Sequence, residues 1–573
     1  MPATKYLILL ETPSIKKYLF STNTLAQIAG ASALLDHLNR EETASFLKKS
    51  LPDATIVYLN GGSGLFLSSS DRATIENVMD RLKALYHQET CGGATLLYTI
   101  EEYGSNDFRQ TLRQAHRQLS RQKQRHRCVP AGRSPFSKDC QSCFQQAAEE
   151  LLEEFGEKRW LCAVCSRKQN FYYKEGFVVR AKDNVWVPKI WQGFVEYVQK
   201  HYPEEFATFR WQSLQRGSVE EWNQGVFFSK DDEEVNQDSQ RKGNRVNFPR
   251  MGLLYGDGNS MGRLVKALDS EAALQCFSEV VDSSLKEATY EALRKHCRIG
   301  QNLYARILLL GGDDLILLLP HTKVLPVAME ISEKFEEISA KKLKLYTEKD
   351  KKVAQFYSKE RAIFKKIGFT LSFGVAIGKL NQNISILLQQ AEALLKQAKA
   401  RGSQHGGNPA PCYIDFQDTT ELPFWSDIFS FREEAGFSSS ARSFSRVQLS
   451  QRPYCREMLR KLLDCARRLK EEKWPNSKLH QIREICFHSS HSLRRKLVFL
   501  LSRVQKQQLR ALLGALNELH PNHGNGKGED HILEKLMQLS ISEPKSSSNE
   551  GVLELPLLDL IEAVDLIENV PSL

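Results

Sequence analysis

Asp313 and Asp314 stand side by side in "YARILLLGGDDLILLLP" (304–320), after Gly311 and Gly312 and between two apolar runs. A tight hairpin turn accounts for the glycines and for one aspartate. It does not account for two acids leading straight into a buried strand. Adjacent carboxylates repel, and without a partner they are costly in apolar surroundings. A divalent cation is the natural partner, and such an ion needs a further ligand. The stretch "MGLLYGDGNSMGRLVKAL" (251–268) supplies one. Its apolar strand ends at Asp257, Gly258 turns the chain, and "NSMGRLVKAL" reads as the start of a helix. Carboxylates from a strand end and a neighbouring hairpin can hold two metal ions, and free amides at a helix start can hold phosphate. Together these parts describe a palm for nucleotidyl transfer.

The elements that must position these residues can be read around them. "GFTLSFGVAIGKL" (368–380) alternates like a strand, and "ISILLQQAEALLKQAKARG" (384–402) is an amphipathic helix ending in glycine. The order strand, helix, GGDD hairpin, helix, strand, helix, with its "SFG" strand and "AEALLKQAKARG" helix, resembles the palm of diguanylate-cyclase-like enzymes. On its sequence alone Lys399 is either an ordinary exposed helix lysine or a residue reaching a triphosphate.

The N-terminal region repeats the pattern. "KYLILLETP", "TLAQIAGASALLDHLNR", "TIVYLNGGSGLFLSS", "ATIENVMDRLKALYHQE" and "GATLLYTIEEYG" read as strand, helix, hairpin, helix and strand. Laying "LNGGSGLFL" (59–67) on "LLGGDDLIL" (309–317) puts Ser63 and Gly64 opposite the two aspartates. Neither can hold a divalent cation in that fashion. The expected fold is therefore α+β, with two ferredoxin-like palms, the first without metal carboxylates. Between them Cys140, Cys143, Cys162 and Cys165 are spaced C-x2-C-x18-C-x2-C, which matches a closed, structural zinc site.

At 573 residues the chain has room for three or four domains. The expected boundaries are 1–110 for the first palm, 111–247 for a basic helix, the four-cysteine region and a polar linker, 248–420 for the second palm, and 421–573 for a basic all-α domain. A net charge of +10 suits a partner bearing phosphates. The densest basic stretches, 109–128 and 494–510, are either solvated helix faces or grooves for RNA or a partner subunit. Apolar runs are too short to span a membrane and "MPATKYLILLETP" lacks the marks of a signal peptide, so the expected location is cytoplasmic.

Two palms with GGDD only in the second, four cysteines between them and a helical C-terminus resemble the large polymerase/cyclase subunit of type III CRISPR effector complexes. "IKKYLFSTNTLAQIAGASALLDHL" is similar to the first palm of the B subtype. The resemblance covers nearly the whole chain. It implies an antiviral enzyme that, when its complex meets target RNA, converts ATP to cyclic oligoadenylate messengers. It further implies two Mg2+ or Mn2+ ions per active site on Asp257, Asp313 and Asp314, and nucleotide contacts at Gly258, Asn259, Gly311, Gly312, Ser32 and Lys399. The implied partners are other subunits of the complex and, through them, guide and target RNA. Many members begin with a nuclease domain bearing a His–Asp motif. No His–Asp dipeptide occurs here, so no DNase is expected. Asn259 also stands where a second aspartate is common, which leaves open an acceptor other than ATP. A scaffold with a vestigial GGDD, and a nucleotide-signal synthase outside CRISPR, are the other readings.

Overall fold

A computed structural model describes residues 5–104, 108–125, 136–154, 157–180, 184–214, 250–349, 353–354, 368–406, 409–420, 427–434, 447–448, 450–486, 499–519, 553–554 and 556–567. The polar linker expected at the end of 111–247 lies outside these residues.

The first palm runs β1 (Lys5–Glu11), α1 (Leu25–His37), β2 (Thr55–Asn60), β3 (Ser63–Ser68), α2 (Arg72–Glu89) and β4 (Leu97–Tyr103). Its strand order is β2-β3-β1-β4, the ferredoxin-like arrangement. Strand β1 carries a continuous apolar run because both of its faces are covered. Ile8 and Leu10 pack with Ile28 and Leu34 of α1 and Ile75 of α2. Leu7 and Leu9 pack with Leu112 and Leu119 of α3 (Phe108–Arg125) on the other side. Each fully buried leucine contributes about 1.5–3 kcal/mol. The boundary expected at 110 falls inside α3, whose apolar face closes the first palm.

The cysteine region adds a hairpin, β5 (Glu150–Glu154) and β6 (Glu157–Leu161), and helix α4 (Ala163–Lys174), which lies against α1.

The second palm repeats the plan with β7 (Arg250–Gly258), α5 (Glu271–Cys297), β8 (Arg306–Gly311), β9 (Asp314–Pro320), α6 (His321–Lys349), β10 (Leu371–Lys379), α7 (Ile384–Gln404) and β11 (Tyr413–Asp418). The six-stranded order is β8-β9-β7-β10-β11-β12. Its last strand, β12 (Tyr454–Cys455), comes from the otherwise mainly helical C-terminal part. The glycine of "SFG" has a packing reason. A Cβ on Gly374 would lie 2.0 Å from Ala391 O, so α7 can approach β10 only over a bare backbone. Among the described residues no helix is long and apolar enough to cross a membrane.

Candidate active site

Register sets the carboxylates. In the antiparallel ladder Asp314 of β9 is directly opposite Asp257 of β7, and Gly311 closes the hairpin against Asp314. Asp313 occupies the turn itself beside Gly312, whose φ of 62° is the left-handed conformation that a tight turn asks of glycine. Gly258 N donates to Asp313 O at 3.2 Å, which pins the end of β7 to that turn. Three acids thus converge at one end of the sheet. Burial, then the charges of Asp257 and Asp314, raise the Asp313 pKa to about 7. Burial and Asp257 raise that of Asp314 to about 6, against the pull of Lys16 and Lys399. Carboxylates held this far above their ordinary range lack positive charge, so the donor set fits hard divalent cations.

Two lysines partly supply that charge. Lys399 Nζ of α7 reaches Asp257 Oδ2 at 2.5 Å and Gly258 O at 2.9 Å. It is not a free surface lysine. Lys16 crosses from the first palm to within 3.9 Å of Asp314 Oδ1 and lies 4.4 Å from the centre of the Tyr255 ring. Nothing in "PSIKKYLF" distinguishes this lysine from its neighbour, so the sequence alone does not point to it.

The hairpin tips of the two palms face each other. A Cβ on Gly61 would stand 3.2 Å from Gly312 Cα. Arg40 of the first palm donates to Asp282 of α5 at 2.6 Å, and the same oxygen accepts Gly312 N at 3.0 Å. Asn60 Nδ2 donates to Ser278 Oγ at 2.6 Å. Between the palms lies a cavity of about 1330 Å3, lined by Ser32, Lys16, Gly61, Gly62 and Ser63 on one side and Gly311, Gly312, Asp313 and Asp314 on the other. Single small-molecule sites occupy about 300–1,000 Å3, so this space admits two nucleotides.

Asn259 departs from expectation. Its side chain is 3% exposed and donates to Thr370 Oγ1 and to the carbonyls of Ala410 and Pro411. Its amide ties strand ends together behind the carboxylates and does not line the cavity.

The repeat is also offset by one residue from the glycine-on-glycine alignment. The first hairpin closes Asn60 against Ser63 around Gly61 and Gly62, whereas the second closes Gly311 against Asp314 around Gly312 and Asp313. Ser63 therefore corresponds to Asp314 and Gly62 to Asp313. Glu11, opposite Ser63 in β1, takes the place of Asp257. The first palm keeps one of three acids. Lys123 of α3 is ion-paired with it, as Lys399 of α7 is with Asp257.

The four cysteines come together as their spacing requires. Their sulfurs all lie within 4.8 Å of one another, with Cys143 and Cys162 3.8 Å apart. Tetrahedral Zn–S bonds of about 2.3 Å demand sulfur separations near that value. Four thiols fit a structural zinc and leave no ligand position open.

Residues 250–406 match the family described as Cas10/Cmr2, second palm domain. Csm1 of T. onnurineus has a similar fold, with a TM-score of 0.50 at 13% identity over 94% of this chain and 70% of that one. A Csm1–Csm4 cassette in complex with pppApApA gives 0.50 at 11% identity over 98% of this chain and 70% of that chain. Against a Csm1–Csm4 cassette in complex with cA4, at 12% identity and a TM-score of 0.40, 72% of this chain is covered and it spans only 54% of the other. No curated protein sequence matches the chain.

Proposed function

With a second palm of the Cas10/Cmr2 family in the chain, we propose that this protein is the nucleotidyltransferase subunit of a type III CRISPR effector complex. Its reaction is attack of a 3′-hydroxyl on the α-phosphate of ATP, with release of pyrophosphate and growth of a linear or cyclic oligoadenylate. The observation that carries this reading is the convergence of Asp257, Asp313 and Asp314 at the end of one sheet, with Asp313 and Asp314 lining a cavity shared with a second palm. The pppApApA bound in a Csm1–Csm4 cassette of similar fold is the kind of ligand this reading expects.

In this reading Asp257, Asp313 and Asp314 would hold two Mg2+ or Mn2+ ions, which would lower the hydroxyl pKa and neutralise the leaving oxygens. The chain's own residues do the positioning. Gly311 and Gly312 let the hairpin backbone come close to a nucleotide, and Ser32 and Lys16 bring the first palm against the same ligand. When the carboxylates are otherwise neutralised, Lys399 is free to turn to phosphate. Most of the rate gain then comes from orientation and fixed charge. Other subunits of the complex, with guide and target RNA, would set when this happens.

The test is mass spectrometry of the products that the assembled complex makes from ATP, with Mg2+ or Mn2+ and matching target RNA. Oligoadenylates that depend on target RNA support the reading. Unchanged ATP would leave a scaffold, and AMP joined to another molecule would identify a different acceptor.

A further inference from the structure

Nucleotidyl transfer needs two nucleotides at Asp257, Asp313 and Asp314. The donor places its α-phosphate there and the acceptor its 3′-hydroxyl. The acceptor's own 5′-triphosphate is at the far end of its ribose and points away from those carboxylates. It therefore falls towards the first palm, which has only Glu11 at the metal positions, and Lys123 already engages that acid. With no cation site on that side, the triphosphate must be neutralised by protein cations.

Helix α3 carries them. Arg113, Arg117 and Arg121 recur every four residues and so share one face. All three line the cavity that Asp313 and Asp314 also line, as does Lys266. Among the described residues Arg117 and Arg121 have no ion-pair partner. The pseudo-symmetry of the repeat points the same way. α3 follows the fourth strand of the first palm as α7 follows that of the second, and each presents a lysine to the acid of the first strand.

We propose that the Arg113–Arg117–Arg121 face of α3 is a polyphosphate site, which holds the 5′-triphosphate of the acceptor nucleotide while its 3′-hydroxyl lies at the carboxylates. The inference rests on the nucleotidyltransferase reading for the identity of the ligand. Guanidinium groups suit this task because they make paired, charge-assisted bonds to phosphate oxygens. It also gives the first palm a role that needs no metal.

The test titrates the full chain with inorganic tripolyphosphate in EDTA, by calorimetry at low salt. Wild type should bind, and Arg117→Ala/Arg121→Ala should bind at least tenfold more weakly with an unchanged circular dichroism spectrum. Arg117→Lys/Arg121→Lys should retain part of the affinity. Asp313→Asn/Asp314→Asn should bind at least as well as wild type. In turnover assays the Ala variant should raise the KM for ATP more than it lowers kcat. Wild-type affinity in the Ala variant overturns the inference, whether or not the complex makes oligoadenylate. So does equal displacement of tripolyphosphate by single-stranded RNA with a 5′-hydroxyl, which would mark the face as a site for RNA backbone. Loss of tripolyphosphate binding in the Ala variant, in a protein that makes no product, would retain the anion site and sink only the nucleotidyltransferase reading.

Discussion

Arg40 Nη2 lies 2.6 Å from Asp282 Oδ1, the oxygen that also accepts the Gly312 amide at 3.0 Å. One buried carboxylate thus ties the first palm to the turn that carries Asp313. Arg40→Ala leaves Asp282 with Lys286 at 3.4 Å and the Gly312 amide, in a site only 7% exposed. Breaking one side of a buried pair costs about 3–5 kcal/mol. We expect the lower end, about 3 kcal/mol by urea denaturation, because the Arg40 side chain remains 27% exposed. Nucleotide synthesis should fall with it, since the turn loses its tether to the opposite palm.

Asp282 also predicts a pH dependence. Its pKa is lowered from 3.8: Lys286, Arg40 and the Gly312 amide together outweigh burial, which would raise it. A folded pKa below the unfolded value gives stability that is fully present above the unfolded pKa and is lost as pH falls through the folded one. Wild type should therefore lose stability faster than Asp282→Asn below about pH 4. Urea midpoints taken at successive pH values down to that range measure it. Parallel curves would show that Asp282 is not the titrating link.

How much of this was legible follows from what is local. The GGDD turn, the strand ending at Asp257 and the cysteine spacing are short patterns with a single chemical reason each, and they read directly. Both ferredoxin-like sheets followed from short apolar runs and the turn residues between them. The tertiary links were not legible. Lys16, Arg40 and Asp282 are ordinary charged residues until folding brings 40 and 282 together. The one-residue offset of the repeat was hidden because paired glycines invite alignment on each other, while strand register is set by which residue closes the turn. That offset concealed Glu11, and Asn259 looked like a ligand only because of its neighbours.

The first palm should be indifferent to metal. Ser63→Ala removes a hydroxyl at the place of Asp314, and Glu11→Gln removes the one acid that remains there. Neither should change Mg2+ or Mn2+ affinity, measured by calorimetry on the full chain. A loss of tenfold or more in either variant would show a second metal site.

Zinc analysis should find about one ion per chain. Cys140→Ser should lose it and lower the melting temperature, because β5, β6 and α4 are then joined to the fold without their central staple. The effect should reach the first palm. α4 is docked on α1 where Gly30 allows it, and a Cβ there would be 2.1 Å from Lys168 O. Asp257, Asp313 and Asp314 stay in place, so divalent metal binding at the second palm should survive. Zinc-free protein with unchanged stability would contradict the assignment.

Asp313 and Asp314 can sit together in an apolar hairpin because something else completes their charge. Lys16 and Lys399 do so in part, and the raised pKa values of Asp313 and Asp314, about 7 and about 6, record what is missing. Asp313→Ala/Asp314→Ala removes two anionic ligands at the turn and leaves the buried leucines of β8 and β9 untouched. The variant should fold and, without metal at neutral pH, should be as stable as wild type or slightly more so, since the repulsion with Asp257 is gone. Divalent cations should stabilise wild type and not the variant. Nucleotide synthesis should drop by roughly a thousandfold or more, the scale of lost metal-based stabilisation of a transition state. Conversion of radiolabelled ATP by both proteins, assembled and at equal target RNA occupancy, decides the matter. Equal turnover would make the two aspartates turn residues alone, and the nucleotidyltransferase reading would fall.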